Sequence, residues 1–188
     1  MGKKSDSGLA DPSKLQPKQN DSDCLQVVIE TPRGSRNKLA FDEQQRVFVL
    51  KKTLPAGMVF PFDFGFIPLT LAPDGDPIDV LLLMDEPVYP GVVVPARLIG
   101  VIQGEQIEGK KRNRNDRLLA VAEASHLYEK VRSWDDLPKK FVNELEQFFV
   151  QFHQLEGKEY KLLGCKDAGK AARLIEESRE AAKKQEAA

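Results

Sequence analysis

The order of the apolar segments constrains the fold of this chain more than any other feature of its sequence. Short runs of β-branched and aliphatic residues, separated by Gly, Pro and Asp, fill the first two thirds of the chain. The strands that these runs predict are Leu25–Ile29, Arg46–Leu50, Val80–Met84, Val92–Val94, Ala96–Ile102 and Leu118–Ala122. Because short strands at close spacing are typical of barrels and sandwiches, we expect a β core rather than an alternating βαβ sheet.

Helical periodicity is confined to the C-terminal third. A first amphipathic helix is predicted from apolar residues at helical spacing, with possible caps at Ser133, Asp135 or Asp136 and with Pro138 in its first turn. Its apolar positions are Leu137, Phe141, Leu145, Phe148 or Phe149, and Phe152. A second helix is predicted to begin near Asp167. Since the helices follow the strands, the predicted fold class is α+β.

Composition sets the domain organisation and excludes several classes of protein. Residues 1–23 are almost devoid of apolar side chains and are predicted to be a flexible tail, so that residues 24–185 form a single domain. The 28 Lys and Arg residues are balanced by 29 Asp and Glu residues, which gives no sign of a nucleic-acid partner. The apolar runs are too short for a membrane span. Cys24 and Cys165 are far apart and are expected to be reduced thiols.

The most informative segment is Asp74-Gly-Asp76-Pro-Ile-Asp79, which leads directly into an apolar strand. Three carboxylates this close together repel one another unless a cation lies between them, and Mg²⁺ and Mn²⁺ prefer such oxygen ligands. The alternative interpretation is an Asp-rich surface turn, since Asp-Gly and Asp-Pro commonly mark turns. The segment does not fit an EF-hand, and the sequence contains no P-loop motif.

Other charged residues are also clustered. Glu30 ends the first predicted strand and is a further candidate metal ligand, and the basic residues that follow it, Arg33, Arg36 and Lys38, could hold a polyanion. Further basic groups occur at Lys51-Lys52 and at 110–117, where we expect the polar tip of a hairpin. Acidic and basic clusters together would suit a phosphate ester or anhydride with its Mg²⁺.

These residues resemble a known family, the soluble family I inorganic pyrophosphatases. The resemblance is carried by Val27-Val-Ile-Glu-Thr-Pro32, Asn37-Lys38, Met58–Ile67 and, most specifically, Asp74–Val80, and it extends in matching order from about Val27 to about Lys161. It implies a five-stranded OB-like β-barrel with two flanking helices, Mg²⁺-dependent hydrolysis of pyrophosphate to two orthophosphates, a cytoplasmic location and a homo-oligomer, in bacteria a homohexamer.

The resemblance also implies roles for individual residues. Asp74, Asp76 and Asp79 would be metal ligands, Asp76 would accept the proton of a water that bridges two metals, and Glu30 would act through metal-bound water. Lys38 would bind phosphate, and Lys52 and Arg117 are further candidates for binding substrate. Asp116 is a candidate metal ligand, although Asn115-Asp116-Arg117 stands where the family has Asp-x-Lys. Its acidic partner would be Glu105 or Glu108, between which the sequence does not decide.

The chain also departs from the family pattern on the phosphate side. Ala40 stands where the family has Glu, a Lys at or near Lys52 stands where it has Arg, Phe64 stands where it has Tyr, and Phe152-His153 stands where it has Tyr-Lys. Each lost hydrogen bond to a charged group costs ~1.5–3 kcal/mol. Two alternatives therefore stay open beside a pyrophosphatase: a metal-dependent hydrolase of another small phosphoanhydride, and a non-catalytic OB-like binding or scaffold subunit.

Overall fold

The computed structural model describes residues 11–18, 23–109 and 111–187, without the side chains of Glu108 and Glu186. Within these residues the strands are β1 (Leu25–Thr31), β2 (Asn37–Asp42), β3 (Val47–Thr53), β4 (Asp63–Phe66), β5 (Asp79–Leu83), β6 (Val93–Glu108), β7 (Lys111–Arg114), β8 (Arg117–Ala122) and β9 (Glu159–Lys166). The helices are α1 (Lys139–Leu155) and α2 (Ala168–Glu186). The fold is therefore a mixed sheet with two helices, as the α+β prediction states.

The strand pairings form a circuit. β1 pairs antiparallel with β4 on one side and with β6 on the other. The path from β4 to β6 runs through β5 and β8. β4 pairs antiparallel with β5, β5 pairs parallel with β8, and β8 pairs antiparallel with β6. β7 and β9 extend the sheet from the long strand β6, whereas β2 and β3 form a separate hairpin.

Two apolar clusters occupy opposite faces of the central strands. Along β5, Leu81 and Leu83 pack in the cluster that includes α1, whereas Val80 and Leu82 pack in the cluster that includes α2. Because side chains alternate along a strand, a strand that is buried on both faces is apolar at every position. This explains why β5 and β8 are continuous aliphatic runs in the sequence.

The structure confirms the predicted strands and both helices, with local corrections. The two runs on either side of Pro95 form one strand, β6, and Asp167 caps α2 by accepting a hydrogen bond from Lys170 N at 2.8 Å. The predicted caps of α1 at Ser133, Asp135 or Asp136 are wrong, because Ser133 caps the separate 3₁₀ turn Trp134–Asp136, which contains both aspartates. Pro138 stands at the cap position, so α1 begins one residue after it.

Part of the predicted tail lies against the β core. Pro12–Lys14 form a 3₁₀ turn capped by Asp11, the Ser13 carbonyl accepts a hydrogen bond from Leu69 N at 3.2 Å, and the Pro17 carbonyl accepts one from Gln26 N at 2.8 Å. Residues 1–10 and 19–22 of the tail lie outside the described residues. The domain limits of 24–185 stay a prediction.

Two further expectations concern the cysteines and the membrane. Neither Cys24 nor Cys165 forms a disulfide among the described residues, as expected of reduced thiols. In the part of the chain that the structure describes, neither helix has the length and apolar character needed to cross a membrane.

Gly65 allows β4 to approach β1 closely next to Glu30. A Cβ atom at position 65 would lie 2.0 Å from the Val28 carbonyl oxygen, so Gly65→Ala forces two backbones apart. We expect this variant to lose about 1–3 kcal/mol of unfolding free energy or more, measured by urea denaturation. Gly169→Ala is the control, since its Cβ would meet only the Asp167 Oδ1 atom within 4 Å, at 3.0 Å. Equal stability of the two variants would contradict the close approach.

Candidate active site

Glu30 owes its orientation to an irregularity in β1. Ile29 pairs with Gly65 and Thr31 pairs with Phe64, so Glu30 is an extra residue on β1 with no partner of its own on β4. Such a bulge re-aims the side chain that it carries. The Glu30 side chain is 8% exposed and its Oε1 atom accepts a hydrogen bond from Phe41 N at 2.8 Å.

The β2–β3 hairpin is attached to the end of β1 and brings Lys38 to the same place. The Thr31 hydroxyl donates to the Leu39 carbonyl and accepts from Leu39 N, both at 3.0 Å. Lys38, Glu30, Asp76 and Asp79 line one cleft of about 950 Å³. The structure therefore brings together residues that the sequence places on three separate segments.

The acidic segment approaches this cleft as a loop that ends in β5. Asp74 and Asp76 are exposed, and Asp74 Oδ1 accepts a hydrogen bond from Asp76 N at 3.3 Å. Asp79 is the first residue of β5 and pairs with Phe66 on β4 and with Arg117 on β8. The loop is thus held at its strand end, while its outer carboxylates remain accessible.

The buried carboxylates of the cleft are shifted toward their protonated forms. Burial raises the pKa of Glu30 from near 4.5 to about 7, and the negative charges of Asp79 and Asp76 raise it further against the hydrogen bond from Phe41 N. Burial also raises the pKa of Asp79 to about 6, although the charges of Lys38 and Arg117 act in the opposite direction. Partial desolvation also raises the pKa of Asp74, although Asp74 is exposed and is not among the residues that line the cleft. The neighbouring cations therefore do not fully offset the cost of burying these carboxylates in their charged form.

A group of cations lies on the other side of Lys38. The Lys38 Nζ atom lies 5.5 Å from the ring centroid of Phe64 and 5.9 Å from that of Phe152. Lys52 Nζ lies 4.0 Å from the Phe152 centroid and forms an ion pair with Glu156. Burial and the charges of Lys38, Lys158 and Arg117 lower the pKa of Lys52 to about 8. The two phenylalanines thus form an apolar floor beneath a repulsive cluster of positive charge.

Arg117 joins the acidic and basic groups. Its side chain is buried, and its Nε atom lies 3.9 Å from Asp79 Oδ2. The guanidinium carbon lies 4.1 Å from the ring centroid of Phe149, a contact typical of a cation–π interaction. Lys38, Lys52, Arg117 and the carboxylates thus form one continuous charged region.

The structure does not bring Asp116 into the carboxylate cleft. Both oxygens of Asp116 accept hydrogen bonds from Arg114, at 2.7 and 2.8 Å, and Oδ1 also accepts one from Gly104 N at 3.1 Å. Asp116 lines a second cleft of about 410 Å³, beside α2. Its assignment as a metal ligand therefore stays a prediction, for which Asp116 would have to leave Arg114.

The remaining charged candidates make contacts of their own. Glu105 forms an ion pair with Arg112 at 3.8 Å, and the Glu108 side chain lies outside the described residues. Arg33 donates to the carbonyls of Met84 and Asp85, and Arg36 donates to the carbonyl of Leu54. The two arginines therefore support loops rather than the cleft.

Several residues near the charged region had no role in the sequence prediction. Ser13, Lys14 and Gln16 line the carboxylate cleft. The sequence around them is polar, as in a flexible tail, and it therefore gave no sign of this position. The Asn115 Oδ1 atom is buried and has no hydrogen-bond partner among the described residues. Asn115 stands where the family's Asp-x-Lys motif has Asp, and this correspondence could have identified it from the sequence.

The donor set of the cleft suits a divalent cation. Carboxylate oxygens are the ligands that Mg²⁺ and Mn²⁺ prefer, and the raised pKa values of Glu30 and Asp79 indicate negative charge that a cation would stabilise. As they stand, the described His, Cys, Asp and Glu side chains include no group of three that is placed to hold a metal ion. The fit therefore rests on the chemistry of the donors.

Comparisons with known proteins agree on one family. The model of the family described as inorganic pyrophosphatase matches residues 27–183. The inorganic pyrophosphatase of Synechocystis sp. is 39% identical over 161 residues, which cover 86% of this chain and 93% of that protein. That of Halalkalibacterium halodurans is 37% identical over 153 residues, or 81% and 91% of the two chains. The crystal structure of the Thermus thermophilus inorganic pyrophosphatase superposes with a TM-score of 0.84 at 30% identity and covers 93% of this chain and 99% of that one.

The raised pKa of Glu30 predicts a pH-dependent difference between the chain and its Glu30→Gln variant. Between pH 4.5 and 7 the unfolded chain has released this proton and the folded chain retains it, so rising pH destabilises the folded state. In the presence of EDTA, we expect the wild-type unfolding free energy to fall relative to that of Glu30→Gln by on the order of 3 kcal/mol across this range. Urea denaturation at several pH values measures it, and a constant difference would contradict the shift.

Proposed function

The chain belongs to the inorganic pyrophosphatase family, and from this we propose that it is an enzyme that hydrolyses inorganic pyrophosphate to two orthophosphates. The observation that carries the proposal is the junction of a carboxylate cleft with a cation cluster at Asp79 and Arg117. A substrate that consists of a divalent cation and a phosphoanhydride needs both halves.

The enzyme is proposed to depend on Mg²⁺, for which Mn²⁺ would substitute. Asp74, Asp76, Asp79 and Glu30 would hold the cation, and Asp116 is a further proposed ligand. The cation, when bound, lowers the pKa of coordinated water toward 7 and stabilises charge on phosphate oxygens. Burial destabilises the charged forms of Glu30 and Asp79, and a bound cation would stabilise them, which supports this assignment.

Different residues of the chain would then have separate roles in the reaction. Asp76 would act as general base and take a proton from the attacking water. The water oxygen would bond to one phosphorus while the bridging P–O bond breaks. Lys38, Lys52 and Arg117 would bind the phosphate groups and stabilise the charge on the orthophosphate that leaves. The exposed position of Asp76 in the loop, next to the cleft, leaves its carboxylate accessible for this role.

Three finer features of the proposal rest on family membership. They are the arrangement of five paired strands as an OB-like β-barrel, a cytoplasmic location and a homo-oligomeric assembly, in particular a homohexamer. The circuit of strand pairings among β1, β4, β5, β8 and β6 supports the first of them.

The reaction and the role of Asp76 are tested by orthophosphate release from pyrophosphate with Mg²⁺. We expect Asp76→Asn to lower kcat by about 10²- to 10⁴-fold, since the variant loses the proton acceptor. Asp135→Asn is the matched control, because Asp135 is exposed and lies in the 3₁₀ turn before α1. A wild-type rate in Asp76→Asn would refute the general base. Release only from tripolyphosphate would favour another phosphoanhydride, and no release at all would favour a non-catalytic subunit.

Cation binding is tested without turnover. We expect Mg²⁺ and Mn²⁺, each added alone, to raise the unfolding temperature of the wild-type chain. At a cation concentration one hundred times Kd, the gain in unfolding free energy is about 2.7 kcal/mol. Asp79→Asn should lose most of this stabilisation, whereas Asp135→Asn should retain it. Equal stabilisation of all three chains would show that the cations bind elsewhere.

A further inference from the structure

Arg117 is a buried cation whose hydrogen-bond partners are all neutral. The side chain is only 3% exposed. Its Nη1 atom donates to the Asn115 carbonyl at 3.2 Å and to the Tyr160 hydroxyl at 3.0 Å, and its Nη2 atom lies 2.9 Å from His153 Nε2. The carboxylate of Asp79 lies beyond hydrogen-bond distance, and Nε has no partner among the described residues. No carboxylate is therefore hydrogen-bonded to Arg117 among the described residues, and its ion-pair partner, Asp79, is 3.9 Å away.

The contact between Arg117 and His153 fixes the protonation of the histidine ring. A guanidinium stays protonated in proteins and has only donors, so Nη2 must donate and His153 Nε2 must accept. The proton of the neutral ring is then on Nδ1. Burial and the charges of Arg117 and Lys52 lower the pKa of His153 to about 3, which favours the same neutral form.

The packing of His153 leaves its ring little freedom to turn away. The ring stacks on Tyr160, with centroids 4.5 Å apart and planes 13° from parallel, and meets the edge of Phe152 at 5.3 Å. His153 Nδ1 lies 3.9 Å from Glu156 Oε2, and Glu156 is the ion-pair partner of Lys52. His153 thus lies between the two cations, Lys52 and Arg117, that are proposed to bind phosphate.

We propose that His153 is a positioning residue that holds the guanidinium of Arg117 at the junction of the carboxylate cleft and the cation cluster. A neutral acceptor suits this role, because a carboxylate at position 153 would neutralise Arg117 and a protonated amine would repel it. The charge that remains on Arg117 is available to attract a phosphate group of the substrate. The inference rests on the proposed function, because it concerns how the same site binds pyrophosphate.

Three substitutions of His153 separate this role from simple packing. A Gln side chain can place an acceptor near the position of Nε2, an Asn side chain can reach only the position of Nδ1, and Leu has no acceptor. We expect His153→Leu and His153→Asn to raise the KM for pyrophosphate about tenfold or more, with a smaller change in kcat, and His153→Gln to stay near the wild-type value. His126→Leu is the control, because His126 is the other histidine of the chain and is exposed. This variant should leave KM unchanged.

A double-mutant cycle tests whether His153 acts through Arg117. In an Arg117→Met background, His153→Leu should raise KM by less than twofold, because the group that it positions is gone. An undiminished effect in that background, or equal KM values for His153→Leu and His153→Gln, would overturn the proposal. If His153→Leu does not fold, the ring ¹⁵N resonances of the wild-type chain decide: a protonated Nε2 between pH 5 and 8 would overturn it.

Failure of this inference can be distinguished from failure of the proposed function. If the wild-type chain releases no orthophosphate from pyrophosphate, the proposed function fails. Calorimetric titration with orthophosphate then tests the positioning role alone, and we expect His153→Leu to bind at least about tenfold more weakly than the wild type and His153→Gln to bind about equally well. Equal affinity of the wild type and His153→Leu, or no binding by either, would overturn the inference.

Discussion

The parallel pairing of β5 with β8 is the constraint on which the charged region depends. Asp79 begins β5, Arg117 begins β8, and the register places them directly opposite each other. Because the two strands run in the same direction, the loops that enter them lie at the same end of the sheet. The acidic loop and the Asn115–Asp116 segment are thereby adjacent, and a carboxylate and a guanidinium meet at the boundary between them.

On both sides of this boundary, burial destabilises the charged forms of side chains. On one side, burial raises the pKa of Glu30 and Asp79, and on the other side the pKa of Lys52 is lowered by burial and by neighbouring cations. Each shift indicates that the charged form is destabilised by its surroundings. A ligand that contains both a cation and a phosphate anion would stabilise both kinds of charged side chain at once, which the near-zero net charge of the chain does not reveal.

The sequence predicted those parts of the site in which charge and apolar pattern are adjacent along the chain. Asp74–Asp79 and β5 are one continuous segment, so both the carboxylates and the strand could be predicted from it. The bulge at Glu30 could not, since it follows from the register of β1 against β4. The buried state of His153 depends on β9, which packs beside α1 and whose mixed polar sequence gave no strand signal. Asp116 was predicted as a ligand from the resemblance of Asn115-Asp116-Arg117 to the family's Asp-x-Lys, and its contact with Arg114 depends on a side-chain arrangement that the sequence does not specify.

The circuit of strand pairings also has a consequence for how the chain folds. β1 closes the circuit by pairing with β6, and β5 pairs with β8 although β6 and β7 lie between them in the sequence. Contacts between segments so distant in sequence form slowly, because the entropy of closing the intervening loops is lost before the contacts form. Glu30, Asp79 and Arg117 therefore come together only in a nearly complete sheet. An anion and a divalent cation would find their joint site late in folding, and a partly folded chain would lack it.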